Sequence, residues 1–250
     1  MSDTLPSQAE IVIIGGGAIG CSIAYHLTKL GHKDVILLER VTLTCGTSWH
    51  AAGLGMQLRA THTMTELCRY SAGLYEKLEA ETGQATGFRR SGSLPVARTS
   101  ARMTELKRLA SLGRYFDVPV DILSPAEAVE RYPLIDIKQV VGGLFIPGDG
   151  QTNPIDTTMA LAKGARMRGA RIFERARVTG LEAAGGAVKT VRTERGDIAC
   201  DKIVLCGGLW SRDLAAMIGV NVPLFASEHM YVPTAPMEGV RPNLPVIRDT

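Results

Sequence analysis

The chain has 250 residues, 45% hydrophobic and 21% charged, with a formal net charge of +3. That is the make-up of a globular protein of one or two domains with enough chain to bury a core. It excludes a membrane span, because no run of about 18 apolar residues occurs, and a nucleic-acid partner, because the positive charge is small and scattered. The cysteines Cys21, Cys45, Cys68, Cys200 and Cys206 are odd in number and form no CxxC pair. This argues against a disulfide scaffold or a metal site and for a reducing compartment. Residues 1–10 carry neither a secretory nor an Arg-rich targeting pattern. The expected location is cytoplasmic, or the mitochondrial matrix for a processed eukaryotic protein.

Ile11, Val12, Ile13 and Ile14 form a short apolar run of the kind that builds a buried parallel strand. It leads into Gly15-Gly16-Gly17-Ala18-Ile19-Gly20, and a helix follows, with Ile19, Ile23, Leu27 and Leu30 as its expected apolar face and Gly31 as its stop. Residues 35–38 read as a second buried strand, ending in Glu39. Strand, GxGxxG turn, helix, strand and acid make a dinucleotide-binding unit. Gly15 makes the tight turn, Gly17 lets a pyrophosphate approach, and Gly20 lets helix and strand pack closely. The helix N-terminus supplies N–H donors for phosphate, and Glu39 accepts from an adenosine ribose. The unit alone allows NAD as well as FAD. Residues 42–52 are small and polar apart from Trp49 and His50, and read as a loop.

Gly46-Thr47-Ser48-Trp49-His50-Ala51-Ala52-Gly53 resembles the flavin-attachment segment of the dimethylglycine and sarcosine dehydrogenase group, within the D-amino-acid oxidase-like flavoproteins. The resemblance implies FAD, bound covalently through His50, with Arg40 and Ala52 among its contacts. A neutral imidazole nitrogen is a competent nucleophile toward an electron-poor ring. His26, His32 and His62 read as structural.

Further along, a helix is expected near 65–78, with Leu67, Tyr70, Leu74 and Leu78 on one side. Gly83 and Gly87 flank a turn, and residues 88–97 turn into a strand. Arg89 and Arg90 read as surface residues. Helices follow near 100–112 and 125–131, the second opened by a Ser124 cap, Pro125 and Glu127. Residues 142–147 read as a strand, and a helix runs from Pro154 to a stop at Gly169. Residues 171–191 read as strands around a Gly185-Gly186 turn. The family resemblance implies that Val178 sets a backbone amide against the adenine.

Residues 203–206 form an apolar strand running into Gly207-Gly208, with a helix starting at Trp210-Ser211. This resembles the strand that returns beneath the dinucleotide in the same family. Cys206 reads as a small buried hydrophobe. Residues 227–232 resemble the family's His-x-Tyr strand, in which alternation would set His229 and Tyr231 on one face beside the substrate.

The expected fold is α/β, a Rossmann-like FAD-binding domain interleaved with an antiparallel-sheet (α+β) substrate domain. The expected division is 1–90 and 151–220 for the FAD domain, and 91–150 and 221–250 for an incomplete substrate domain. The resemblance implies oxidation of a secondary or tertiary N-methyl amine, dimethylglycine- or sarcosine-like, by hydride transfer to flavin. It also implies tetrahydrofolate or an electron-transfer flavoprotein as partner of the intact protein. The alternatives are an NAD-linked Rossmann dehydrogenase and a non-catalytic nucleotide-binding fragment.

Overall fold

The computed structural model describes residues 4–249. In chain order the elements are β1 (Gln8–Ile14), α1 (Ala18–Lys29), β2 (Val35–Leu38), β3 (Leu54–Gly55), α2 (His62–Thr82), β4 (Ser93–Ala97), α3 (Ser100–Tyr115), β5 (Asp121–Leu123) and α4 (Pro125–Arg131). There follow β6 (Gly142–Phe145), β7 (Gly150–Gln151), α5 (Pro154–Met167), β8 (Arg171–Phe173), β9 (Val178–Ala184), β10 (Ala187–Thr193), β11 (Gly196–Leu205), α6 (Ser211–Ala216) and β12 (Val246–Asp249). The chain divides into two compact units: residues 4–52, 78–86 and 154–229, and residues 53–77, 87–153 and 230–249. Residues 53–77, expected in the first FAD-domain segment, group with the second unit.

The first unit is built on a six-stranded sheet in the order β8-β2-β1-β11-β10-β9. The four strands from β8 to β11 run parallel, and β10 and β9 add an antiparallel edge. Every residue of β2 is buried, as a strand covered on both faces requires. Val12, Ile14, Ile36 and Leu38 pack with Phe173, Val191 and Ile198 in one core cluster. The β9–β10 hairpin turns at Gly185 and Gly186, with φ of +61° and +77°, a pair of left-handed residues that suits a tight hairpin.

The second unit has a four-stranded sheet in the order β12-β4-β6-β5 and a two-stranded pairing of β3 with β7. The β4–β6 and β5–β6 pairs are antiparallel, as expected. The β12–β4 pair is parallel, so this sheet is mixed. α4 opens with the expected capping box: Ser124 N–H donates to Glu127 Oε2 at 2.7 Å, and Glu127 N–H donates to Ser124 Oγ at 3.3 Å. Asp149 is fully buried, accepting from Gln57 N–H at 2.7 Å and Ser93 Oγ–H at 2.6 Å. Burial pushes its carboxyl above the ordinary range, against those two donors and the nearby Arg59 and Arg90.

Three expectations need correction. On α1 the buried residues are Gly20, Cys21, Ala24, Tyr25 and Thr28, while Ile19 is 70% and Leu30 78% exposed. The buried side combines the small Gly20, Cys21 and Ala24 with Tyr25, whose ring is fully buried against Gly164 of α5. On α2 Leu74 and Leu78 are buried, but Leu67 and Tyr70 face solvent. The buried Thr65 hydroxyl, which donates to Thr61 O and accepts from Arg59 N–H, turns the opposite side of the first turns inward. Finally, residues 227–232 form no strand: the segment 220–237 takes no regular secondary structure, and His229 and Tyr231 are exposed. On the side of β4 away from β6 lies β12, a strand the sequence reading did not foresee.

Candidate functional site

A cleft of about 240 Å³ opens in the first unit at the C-terminal ends of β1, β2 and β11. The sheet order makes this the point where the chain changes direction on either side of β1, the usual ligand crevice of an open parallel sheet. Of the residues expected to hold the cofactor, Gly15, Gly17, Glu39, Arg40, Gly46, Thr47, Ser48, Val178, Gly207, Gly208 and Trp210 line it. Ala18, Ile19, Gly20, His50, Ala52 and Gly53 do not.

The glycines divide the work as their positions require. Gly15 has φ of +115°, and a Cβ there would collide with the Cys206 carbonyl. A Cβ at Gly20 would collide with the Gly15 carbonyl. Both keep β1, α1 and β11 in close contact. A Cβ at Gly17 would stand 3.1 Å from Ser48 Oγ. The first-turn amides of α1 have no helical carbonyl to donate to. One of them, Ala18 N–H, donates to Ser48 Oγ at 2.9 Å, so the loop 42–48 closes on the helix N-terminus.

Glu39 is buried and ties the loop together. Its Oε2 accepts from Gly16 N–H at 2.7 Å, and its Oε1 accepts from Val41 N–H at 3.0 Å and from the Cys45 thiol at 3.4 Å. The carboxylate thus shapes the glycine loop as well as lining the cleft, a role the sequence did not reveal. Oε1 has both lone pairs engaged, while Oε2, with a single donor, retains acceptor capacity for a ribose hydroxyl. Thr44, at φ of +70°, donates its N–H to Gly16 O at 3.0 Å and bends the loop back over the glycines.

Thr47–His50 forms one turn of 3-10 helix. Its first half lines the cleft, and its second half carries Trp49 and His50 outward, exposed, with ring centres 3.6 Å apart. Ala52 is exposed, and Gly53 takes φ of +71°. His229 and Tyr231 lie outside the cleft lining.

Sequence reasoning missed several lining residues, among them Cys45, Ala176, Arg177, Asp213 and Met217. The strand-end positions of Ala176 and Arg177, directly before Val178, were the available signal. Burial pushes the Cys21 thiol up to about 12 and raises Cys206 as well. The Cys45 thiol is raised by desolvation and by the adjacent Glu39 carboxylate, against a backbone bond at Thr42. All three thiols around the loop stay protonated near neutrality, so none is an activated nucleophile. Cys206 is half-buried and lines the cleft. Among the described residues no group of His, Cys, Asp or Glu is arranged to hold a metal ion.

A glycine cradle at a helix N-terminus, a buried acid at the end of β2 and a returning β11 define a dinucleotide-binding α/β protein. Residues 10–250 match the FAD dependent oxidoreductase family, DAO, and the chain belongs to that family. It is 44% identical over 247 residues to 4-methylaminobutanoate oxidase (formaldehyde-forming) of Paenarthrobacter nicotinovorans, covering 99% of this chain and 30% of that protein. It is 42% identical over 254 residues to mitochondrial sarcosine dehydrogenase of Homo sapiens, covering 99% and 28%. The chain therefore spans less than a third of the length of these curated relatives. Among solved structures it resembles L-proline dehydrogenase from P. horikoshii, with a TM-score of 0.81 and 30% identity, covering 86% of this chain and 57% of that one. The α/β fold expected from the sequence is the fold of these relatives, and the family match favours FAD over NAD. Among the described residues no helix is long and apolar enough to cross a membrane.

Proposed function

We propose that this chain is the FAD-binding portion of an oxidoreductase that oxidises a secondary or tertiary N-methyl amine of the sarcosine, dimethylglycine or methylaminobutanoate kind. The observation that carries this reading is the continuity of one short segment. Residues 45–48 line the dinucleotide cleft, and the next two residues present the Trp49–His50 ring pair. The 44% identity to an N-methyl amine oxidase supports the substrate class.

The residues of the cleft fit the group. The first-turn amides of α1 and the glycine loop would hold the diphosphate, Glu39 the adenosine ribose, and Val178 the adenine edge. When bound, FAD supplies the two-electron acceptor for oxidation of the substrate C–H bond. His50 would hold the cofactor permanently through a ring nitrogen, which requires its imidazole to be neutral at the moment of attack. His229 and Tyr231 belong to the proposal as groups that orient the amine and favour its free base. Tetrahydrofolate or an electron-transfer flavoprotein would serve as acceptor for the intact protein, in the cytoplasm or the mitochondrial matrix.

The test is to denature the purified protein in acid, separate small molecules and record the visible spectrum of the polypeptide. A flavin spectrum that stays with the chain and disappears in His50→Ala supports covalent attachment. Anaerobic addition of sarcosine, dimethylglycine and 4-methylaminobutanoate should then bleach the native absorbance. A protein that binds FAD, bleaches with none of these and bleaches with a primary amino acid overturns the N-methyl reading.

A further inference from the structure

Arg40 stands two residues beyond β2, and Trp210 ends the 3-10 turn Gly208–Trp210 that follows β11. In the sheet, β2 and β11 lie on opposite sides of β1, so about 10 Å separates their axes. Across that gap the Arg40 guanidinium meets the Trp210 ring, its Cζ 3.7 Å from the ring centre. Both side chains line the cleft. The pair therefore bridges the C-terminal end of β1, where the glycine loop begins.

Two further contacts shape this bridge. A Cβ at Gly46 would stand 3.9 Å from Trp210 Cζ3, so the loop 42–48 lies against the ring. Gly208, with φ of +56°, sets the turn that carries Trp210, and a Cβ there would stand 4.0 Å from Thr47 Oγ1. Arg40 forms no ion pair with a carboxylate among the described residues. Its charge and planar donors are held in place by the indole face and left for an anionic group. The anionic part of a dinucleotide would lie against the glycine loop, at the end of β1 that this bridge spans.

We propose that Arg40 and Trp210 form a clasp across the diphosphate of the bound dinucleotide and slow its release. The inference rests on the reading that this cleft takes FAD. It assigns the two residues a joint role: Trp210 positions the guanidinium, and the guanidinium holds the phosphates.

The test uses the His50→Ala protein loaded with FAD, so that release is not blocked by a bond to the chain. FAD release is followed by recovery of flavin fluorescence, and ADP binding to the apoprotein by calorimetry. Arg40→Ala and Trp210→Ala should each speed FAD release about tenfold, the scale of one well-placed charged contact. The double variant should release no faster than either single one, because each residue acts through the other. Arg40→Lys should not restore slow release, since an ammonium lacks the planar stacking fork. Trp210→Phe, which keeps a ring, should fall between and guards against a folding defect in the alanine variant. Unchanged release, or strictly additive effects, overturns the clasp. So does faster and tighter ADP binding in the variants, which would mean that the pair obstructs the cleft. If the parent protein binds neither FAD nor ADP, the functional reading itself has failed; if it binds both and the variants match it, only the clasp has failed.

Discussion

Residues 11–48 and residues 221–245 make an instructive contrast. In the first stretch backbone atoms lie so close that individual positions admit glycine only. Gly15 and Gly20 each stand against a carbonyl oxygen that a Cβ would strike. In the second stretch the chain is irregular, with turns at 238–239 and 242–243, and Phe225, Met230 and Val232 are each more than 80% exposed. A backbone requirement of the first kind is written locally and can be read from spacing. A strand needs a partner elsewhere in the chain, and a pattern such as His-x-Tyr does not carry that information.

The contrast can be tested by substitution. Gly20→Ala should have the largest effect, costing about 3 kcal/mol or more because the clash is with backbone rather than a movable side chain. Denaturant unfolding of the variant should show the loss, along with reduced flavin content. A Gly20→Ala protein of unchanged stability would mean that α1 can shift off the sheet.

Glu39→Gln should come next. It replaces a charged acceptor of the Gly16 and Val41 amides with a neutral one, a loss of about 1–3 kcal/mol. Weakened ADP binding with intact folding is the expected signature. Ser48→Ala removes the acceptor for the Ala18 amide and should cost about 1 kcal/mol, as other helix-cap deletions do. Chemical unfolding against the parent would measure it.

Cys21 gives a pH test of the same tightly packed region. Its thiol is raised from 9.0 to about 12 by burial. The folded state thus holds this proton more tightly than the unfolded chain does. The associated stability is fully present below pH 9 and is lost as pH climbs toward 12. Cys21→Ala should flatten that part of the stability profile, and the native thiol should resist alkylation at pH 8. Smallest of all are His229→Gln and Tyr231→Phe. At exposed positions they should leave stability within about 0.5 kcal/mol, while the proposed function has them lowering turnover. A large loss of stability in either would show that residues 227–232 pack against something.

The sequence made legible what depends on local chemistry. The Gly-rich turn, the capping box at Ser124 and the Gly185-Gly186 hairpin could all be read from the residues that form them. The cleft was legible through the same residues, down to Val178 and Trp210. Helix faces were less so: Ile19 and Leu30 look like core residues by hydropathy, yet α1 buries the side that carries Gly20, Ala24, Tyr25 and Thr28, because which side meets the rest of the fold is set by tertiary packing. The second role of Glu39 was hidden because a side chain's bond to a distant amide leaves no mark in spacing. β12 was hidden because Val246 and Ile247 become a strand only beside β4.

The place of β11 has a consequence for the order in which the protein can be made. β1, which ends at Ile14, is synthesised well before β11, which starts at Gly196 and is one of its two neighbours in the sheet. At ordinary elongation rates β11 emerges on the order of ten or more seconds later. Through that interval one flank of β1 has no partner, and four consecutive β-branched residues wait with an open edge. The glycine loop can assume its final form only after Cys206, whose carbonyl it abuts, has arrived. The cofactor site of this chain is thus closed only when β11 arrives, although its most recognisable residues, Gly15 to Gly20, are made well before it.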